Sequence, residues 1–122
     1  MAHGGIRPDR SGLDRELAQA VAETMQALST PSRLRILGQL RSGPSPVNEL
    51  AAAVGMESSA VSHQLRVLRH LGLVVGRRDG RQVVYDLYDD HVAELLEQAI
   101  GHVEHLRLGR GRSELKMQLA EA

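Results

Sequence analysis

Asp89, His91, His102 and His105 are the residues of this 122-residue chain whose types and spacing suit chemistry, and that chemistry is metal coordination. Carboxylate oxygens and neutral imidazole nitrogens both serve first-row divalent ions. If one helix carries all four, His91 and His102 lie about 20° apart around its axis, with His105 about 40° to the other side of His91. The imidazoles then form a single stripe. Along the axis, however, His91 and His102 are separated by about 16 Å, whereas a metal–nitrogen bond is about 2 Å. A lone helix therefore cannot bring both ends to one ion. Two copies packed antiparallel can, with the Asp89/His91 end of one meeting the His102/His105 end of the other. A two-fold axis near Gln98 then generates two identical sites. Leu95, Ala99, Val103 and Leu106 run beside the stripe as an apolar band suited to that contact. Histidines on the solvated side of an amphipathic helix are the plainer account of the same residues.

A second constellation suits nucleic acid. In ELAAAVGMESSAVSHQLRVL, Ala51, Gly55 and Val61 fall at helix-turn-helix spacing. A small residue lets two helices approach, glycine takes a left-handed turn, and a branched apolar residue docks the second helix. Val61, Leu65 and Leu68 share the inner face of that second helix. Ser59, Ser62, His63, Arg66 and His70 occupy the sector opposite. Short hydroxyls allow close approach to a major groove, while arginine and imidazole suit bases or phosphates. Arg77, Arg78 and Arg81 surround an Asp79-Gly80 turn behind it, as in a wing reaching the DNA backbone. Five arginines between Arg66 and Arg81 face a single acid, Asp79, in a chain of net charge +0.

The elements that must hold these residues follow from periodicity. Residues 1–12 lack it and read as a flexible N-terminal arm. A first helix is expected from Leu13 to Leu28, with Leu13, Leu17, Val21 and Met25 in a stripe. Thr30-Pro31 starts a second, with a hydroxyl cap and proline at the first turn, and it stops near Gly43-Pro44. A third runs from Pro46 to Val54 and a fourth from Ser58 to Leu71, ended by Gly72. Two β-branched runs flanking Asp79-Gly80 predict a hairpin. The final helix spans Asp89 to about Leu108, and residues 109–122 read as a flexible tail. The fold class is mainly α with a β-hairpin wing, a winged helix-turn-helix occupying residues 13–108 and acting as a homodimer.

The remaining composition narrows the class. There is no cysteine, which removes disulfides, thiolate catalysis and thiolate metal sites. No glycine-rich phosphate loop or HExxH appears, so an enzyme is not expected. With neither a membrane-length apolar run nor a signal segment, a soluble cytoplasmic protein without membrane partners is expected. Two tyrosines (Tyr85, Tyr88) and no Phe or Trp leave a core of Leu, Val, Ile and Ala.

TPSRLRIL, AVSHQLRVL, the GLV, GRRDGR and VVY segments and DDHVAELLEQAIGHVEH together resemble the ArsR/SmtB family of metal-sensing repressors, over about residues 15–108. Within it the chain is most similar to the nickel- and cobalt-sensing branch, which SHQLRVLRHLGLVVG and the early His3-Gly4 dipeptide fit. The resemblance implies a dimer that binds double-stranded operator DNA without metal and releases it when metal binds. It assigns ligands to Asp89 and His91 of one chain and His102 and His105 of the other, and DNA contacts to Ser58, Ser59, Ser62 and His63. It also implies coupling from His102 to backbone near Gly72. The ion remains open between Ni(II) or Co(II), for which His3 and a processed N-terminus supply further ligands, and Zn(II), which four ligands satisfy. A repressor indifferent to metal is the third reading.

Overall fold

A computed structural model describes residues 12–121, with side chains for all of these but 110–118 and 121. The N-terminal arm, including His3, lies outside the described residues. Five helices and a small antiparallel sheet follow in the order α1 (Arg15–Ala27), α2 (Pro31–Leu40), β1 (Ser45–Pro46), α3 (Val47–Val54), α4 (Ser58–His70), β2 (Val74–Asp79), β3 (Gln82–Leu87) and α5 (Asp90–Glu121). This is the winged helix-turn-helix that the sequence predicts.

Local chemistry sets most boundaries. Asp14 caps α1 by accepting the Leu17 N–H at 2.8 Å, which leaves Leu13 ahead of the helix instead of at its start. Pro31 opens α2 as expected, but the Thr30 hydroxyl makes no capping bond; Thr30 contributes only its carbonyl, to Leu34 N–H at 3.0 Å. Gly55 ends α3 in the left-handed region (φ 69°), and Met56 N–H reaches back to the Ala51 carbonyl at 3.0 Å. At the end of α4, Gly72 (φ 75°) and Leu73 return their N–H groups to Arg69 and Leu68. That pair of bonds is a Schellman motif, which needs a residue at home with positive φ.

One core unites α2, α3, α4, the sheet and the start of α5. Ile36, Leu37, Leu40, Leu50, Val61, Leu65, Leu68 and Val74 are buried, and Val92 and Leu96 attach α5 to them. The hairpin is shifted by one residue from its expected turn. Asp79 pairs with Gln82, so the two-residue loop is Gly80-Arg81, with positive φ at the glycine alone. Glycine in the first loop position suits a type II′ turn, whose twist matches that of the strands.

Three further features go beyond the sequence reading. Ser45 and Pro46 form a third strand, pairing with Tyr85 and Val84 at the sheet edge. Proline is tolerated there because an edge strand needs fewer ladder donors. Next, α5 continues through Glu121, past the expected end near Leu108. Gly109 and Gly111 each cost a helix about 1 kcal/mol, which is less than a stop when Leu, Glu, Lys, Met and Gln follow. Finally, the α1 stripe forms but is left largely uncovered by the described residues. Leu13, Leu17, Val21 and Met25 remain 37–61% exposed, and Ala27 is the buried residue of α1.

Candidate metal centre and nucleic-acid interface

The start of α5 holds one half of the candidate metal centre. Asp89 precedes the helix, and its carboxylate divides its work. Oδ1 accepts the Val92 N–H at 3.2 Å, three residues on, in the manner of an N-cap. Oδ2 accepts from the His91 ring Nδ1 at 3.3 Å. Desolvation pushes the Asp89 carboxyl upward, but the His91 and Val92 hydrogen bonds outweigh it and hold the group below its ordinary value. The carboxylate is thus kept ionised, the form in which it ligates. The His91 side chain is 88% exposed.

His102 and His105 stand one turn apart, about three turns along α5, and both are exposed. Among the described residues neither makes a hydrogen bond, and no three His, Cys, Asp or Glu side chains lie close enough to hold an ion within one protomer. The donor set fits a divalent ion in kind, with carboxylate, imidazole and no thiolate, but each protomer brings its members together only in pairs. The apolar side of α5 next to them is equally open. Ile100, Val103 and Leu106 are 37–48% exposed, and with Leu34 and Leu96 the first two line a groove of about 380 Å³ between α2 and α5.

The second candidate site lies on α4 and the β2–β3 wing. Burial of Val61, Leu65 and Leu68 turns Ser59, His63 and Arg66 outward on α4, with Ser62 half-buried beside the wing and His70 exposed at the far end. Arg66, Arg69 and His70 together line a cationic hollow on the same helix. Ser58 opens α4 and donates its hydroxyl to Asn48 Oδ1 of α3 at 3.3 Å, while Gln64 accepts from Arg33 Nε of α2 at 2.8 Å. These two bonds brace the outward helix against its neighbours. Sequence periodicity missed Asn48 and Arg33, since both act across elements.

Arg77, Arg78 and Arg81 are exposed on the wing. Strand alternation separates the first two: Arg77 lies opposite Val84 and Arg78 opposite Val83, so they leave the ribbon on opposite faces. Gly76 serves the wing differently. It pairs with Tyr85, and a Cβ there would stand 3.0 Å from Tyr85 Cε1 and 3.2 Å from Val83 Cγ1. The missing side chain lets the buried tyrosine lie across the ribbon.

Residues 30–75 match the family described as bacterial regulatory protein, arsR family. The chain is 64% identical over 111 residues to the HTH-type transcriptional regulator NmtR of Mycobacterium tuberculosis, covering 89% of this chain and 92% of the relative. The solution structure of apo-NmtR superposes with a TM-score of 0.70 over 88% of this chain and 90% of that one. A transcriptional repressor SmtB homolog of Synechocystis sp. is 44% identical over 99 residues, covering 81% of this chain and 74% of its own length. A homodimeric winged helix-turn-helix DNA-binding domain of Mycobacterium bovis is 31% identical, with a TM-score of 0.71 over 80% of this chain and 92% of that one. Among the described residues no helix is long and apolar enough to cross a membrane.

Proposed function

The chain belongs to the arsR family of bacterial regulatory proteins, whose members named above are transcriptional regulators and not enzymes, and from that we propose a homodimeric, metal-responsive repressor that holds operator DNA as the apo dimer and releases it on binding Ni(II) or Co(II). The observation that carries this reading is the layout of α5. An Asp89/His91 pair sits at one end, His102/His105 sits farther along, and the apolar face beside them is uncovered. A second copy placed antiparallel would cover that face and complete both sites.

Asp89 and His91 of one protomer, with His102 and His105 of the other, would hold the ion, and its chemistry there is to cross-link the two terminal helices. The chain's own residues do the rest. Val92 and Leu96 fix α5 to the core that carries α4, so the angle between two copies of α5 sets the spacing of two recognition helices. Half-sites lie about one helical turn apart, roughly 34–36 Å, and a dimer geometry that misses this spacing binds DNA less well. Ser58, Ser59, Ser62, His63 and Arg66 are the groove-facing set, and Arg77, Arg78 and Arg81 are the wing's backbone contacts.

Residues 13–108 would form the working domain, with residues 1–12 an arm that supplies His3 to an ion needing more than four ligands. Zn(II) is the second reading, favoured by a donor set that already suffices for a tetrahedral site. Fluorescence anisotropy on DNA from the protein's own promoter, titrated with Ni(II), Co(II) and Zn(II), decides among them. Fuller release by nickel or cobalt, lost in His3→Ala, supports the expanded site, whereas fuller release by zinc makes the arm a bystander. Release that is unchanged in His102→Ala and His105→Ala, or absent with all three ions, sinks the metal reading and leaves a repressor that uses α5 only to dimerise.

A further inference from the structure

The strand absent from the sequence reading builds a feature of its own. Pairing of Ser45 with Tyr85 and Pro46 with Val84 draws the start of α3 against the wing. Asn48, in the first turn of α3, and Gln82, at the start of β3, line one cleft. The cleft has a volume of about 200 Å³ and is lined also by Pro46, Val47, Ser62 of α4, the half-buried Val83 and the buried Tyr85. It opens between the recognition helix and the wing, the two elements assigned to DNA.

The polar side chains lining this cleft are two carboxamides, the Ser62 hydroxyl and the Tyr85 phenol, and no carboxylate, amine, guanidinium or imidazole lines it. Both amides are exposed, and Asn48 Oδ1 is already engaged by the Ser58 hydroxyl, which leaves its NH₂ to point elsewhere. Gln82 follows Arg81 of the loop directly and pairs with Asp79, so its position is fixed by the hairpin ladder. Donors from uncharged side chains, facing an open cleft between the recognition helix and the arginine-bearing wing, suit a backbone phosphate held by hydrogen bonds alone.

We infer that Asn48 and Gln82 clamp one phosphate of the operator backbone between recognition helix and wing, as an uncharged positioning contact that sets the register of α4 in the groove. The inference rests on the DNA-binding reading and adds to it a second kind of contact. Arginines displace condensed counterions and make affinity salt-dependent, whereas neutral donors contribute affinity with no such dependence.

The test is operator binding by anisotropy, across a series of potassium chloride concentrations, for the full chain and for Asn48→Ala, Gln82→Ala and Arg81→Ala. Gln82→Ala and Asn48→Ala are each expected to weaken binding about fivefold, the scale of one net hydrogen bond, with the slope of log affinity against log salt unchanged. Arg81→Ala is expected to weaken binding and to make that slope shallower by about 1. A methylphosphonate scan of the operator then identifies a single phosphate whose replacement abolishes the Gln82→Ala penalty. Binding of Gln82→Ala at full strength, or a slope that falls as it does for Arg81→Ala, overturns the clamp while leaving DNA binding intact. Failure of the unaltered chain to bind the operator overturns the DNA-binding reading itself. Thermal melts keep the comparison fair, and the methylphosphonate scan separates the roles of Asn48: an Asn48→Ala loss with no phosphate dependence assigns Asn48 to bracing α4 through Ser58 and removes it from the clamp.

Discussion

In the helix-turn-helix, Val61, Leu65 and Leu68 are wholly buried, each helix end is closed by a glycine turn, and polar bonds run between elements. In α1 and the outer part of α5 the same residue types stand in solvent: Leu17, Val21 and Met25 on one helix, Ile100, Val103 and Leu106 on the other. The reading head is complete within one chain. Helices α1 and α5 have the pattern of a core and lack its other half among the described residues. Exposed apolar stripes on two helices of a small domain mark an association surface more readily than a solvated one. The contrast separates a DNA-binding unit packed within one protomer from helices whose apolar faces are left open.

Truncation inside the head probes the first half of that contrast. Leu65→Ala removes a fully buried side chain from the centre of the core, where large-to-small changes cost about 3 kcal/mol. Chemical denaturation is expected to show that loss in any oligomeric state. A loss below about 1 kcal/mol would mean that the head is loosely packed and that the contrast is false.

Charges placed on the open stripes probe the second half. Leu17→Asp and Val103→Asp alter residues that are about half exposed in the protomer, so each head should stay folded. If the stripes meet in a dimer, each buried charge is unpaired there, and self-association is expected to fall at least tenfold. Sedimentation velocity reads the change directly, and operator affinity should fall with it because paired half-sites need paired heads. Dimers of undiminished strength in both variants would place the interface elsewhere.

How much of this was legible in the sequence divides along the same line. The head was legible because its signals are local: Gly55 and Gly72 at helix ends, an inner face of Val61, Leu65 and Leu68, and a glycine turn between β-branched runs. The strand at Ser45–Pro46 was not legible. It is two residues long, and its partner Tyr85 lies far along the chain, so neither periodicity nor composition announces it. The expected end of α5 near Leu108 fell short of Glu121 because Gly109 follows it, while a glycine weakens a helix only modestly. On α5 the exposed placement of the candidate ligands His91, His102 and His105 was legible, as was the α1 stripe. What α1 packs against was not, because amphipathicity shows that a face needs a partner without naming one. The Asp89 cap on Val92 was available as a residue type at the right offset, hidden by its nomination as a ligand.

Gly76 offers a smaller perturbation, confined to the wing. Valine there would press its Cβ against Tyr85 and Val83, which are held by burial and pairing. Overpacking of this kind costs about 1–2 kcal/mol, or about 5 °C in melting temperature for a domain of this size. Operator binding should weaken too, while dimerisation stays as it was. An unchanged melt would show that Tyr85 can swing aside and that the wing is less rigid than the rest of the head.

The smallest effect expected separates the two regions most finely. Asp14 caps α1 through the Leu17 N–H, and replacing such a cap by alanine costs a helix about 1 kcal/mol. In the head that sum would lower the melting temperature. In α1, where Ala27 is the buried residue, the helix has little tertiary contact within its own chain through which to pass the loss on. A helix of 13 residues with so little packing is marginal alone, so its order depends on what covers its stripe. Asp14→Ala should therefore leave the unfolding of a monomeric Val103→Asp background unchanged while weakening dimerisation of the otherwise intact chain about fivefold. Asp14→Asn, which keeps an accepting oxygen, should restore most of the loss. If Asp14→Ala instead destabilises the monomeric background by the full amount, α1 is part of the head's own cooperative unit, and the line between the two regions runs along α5 alone.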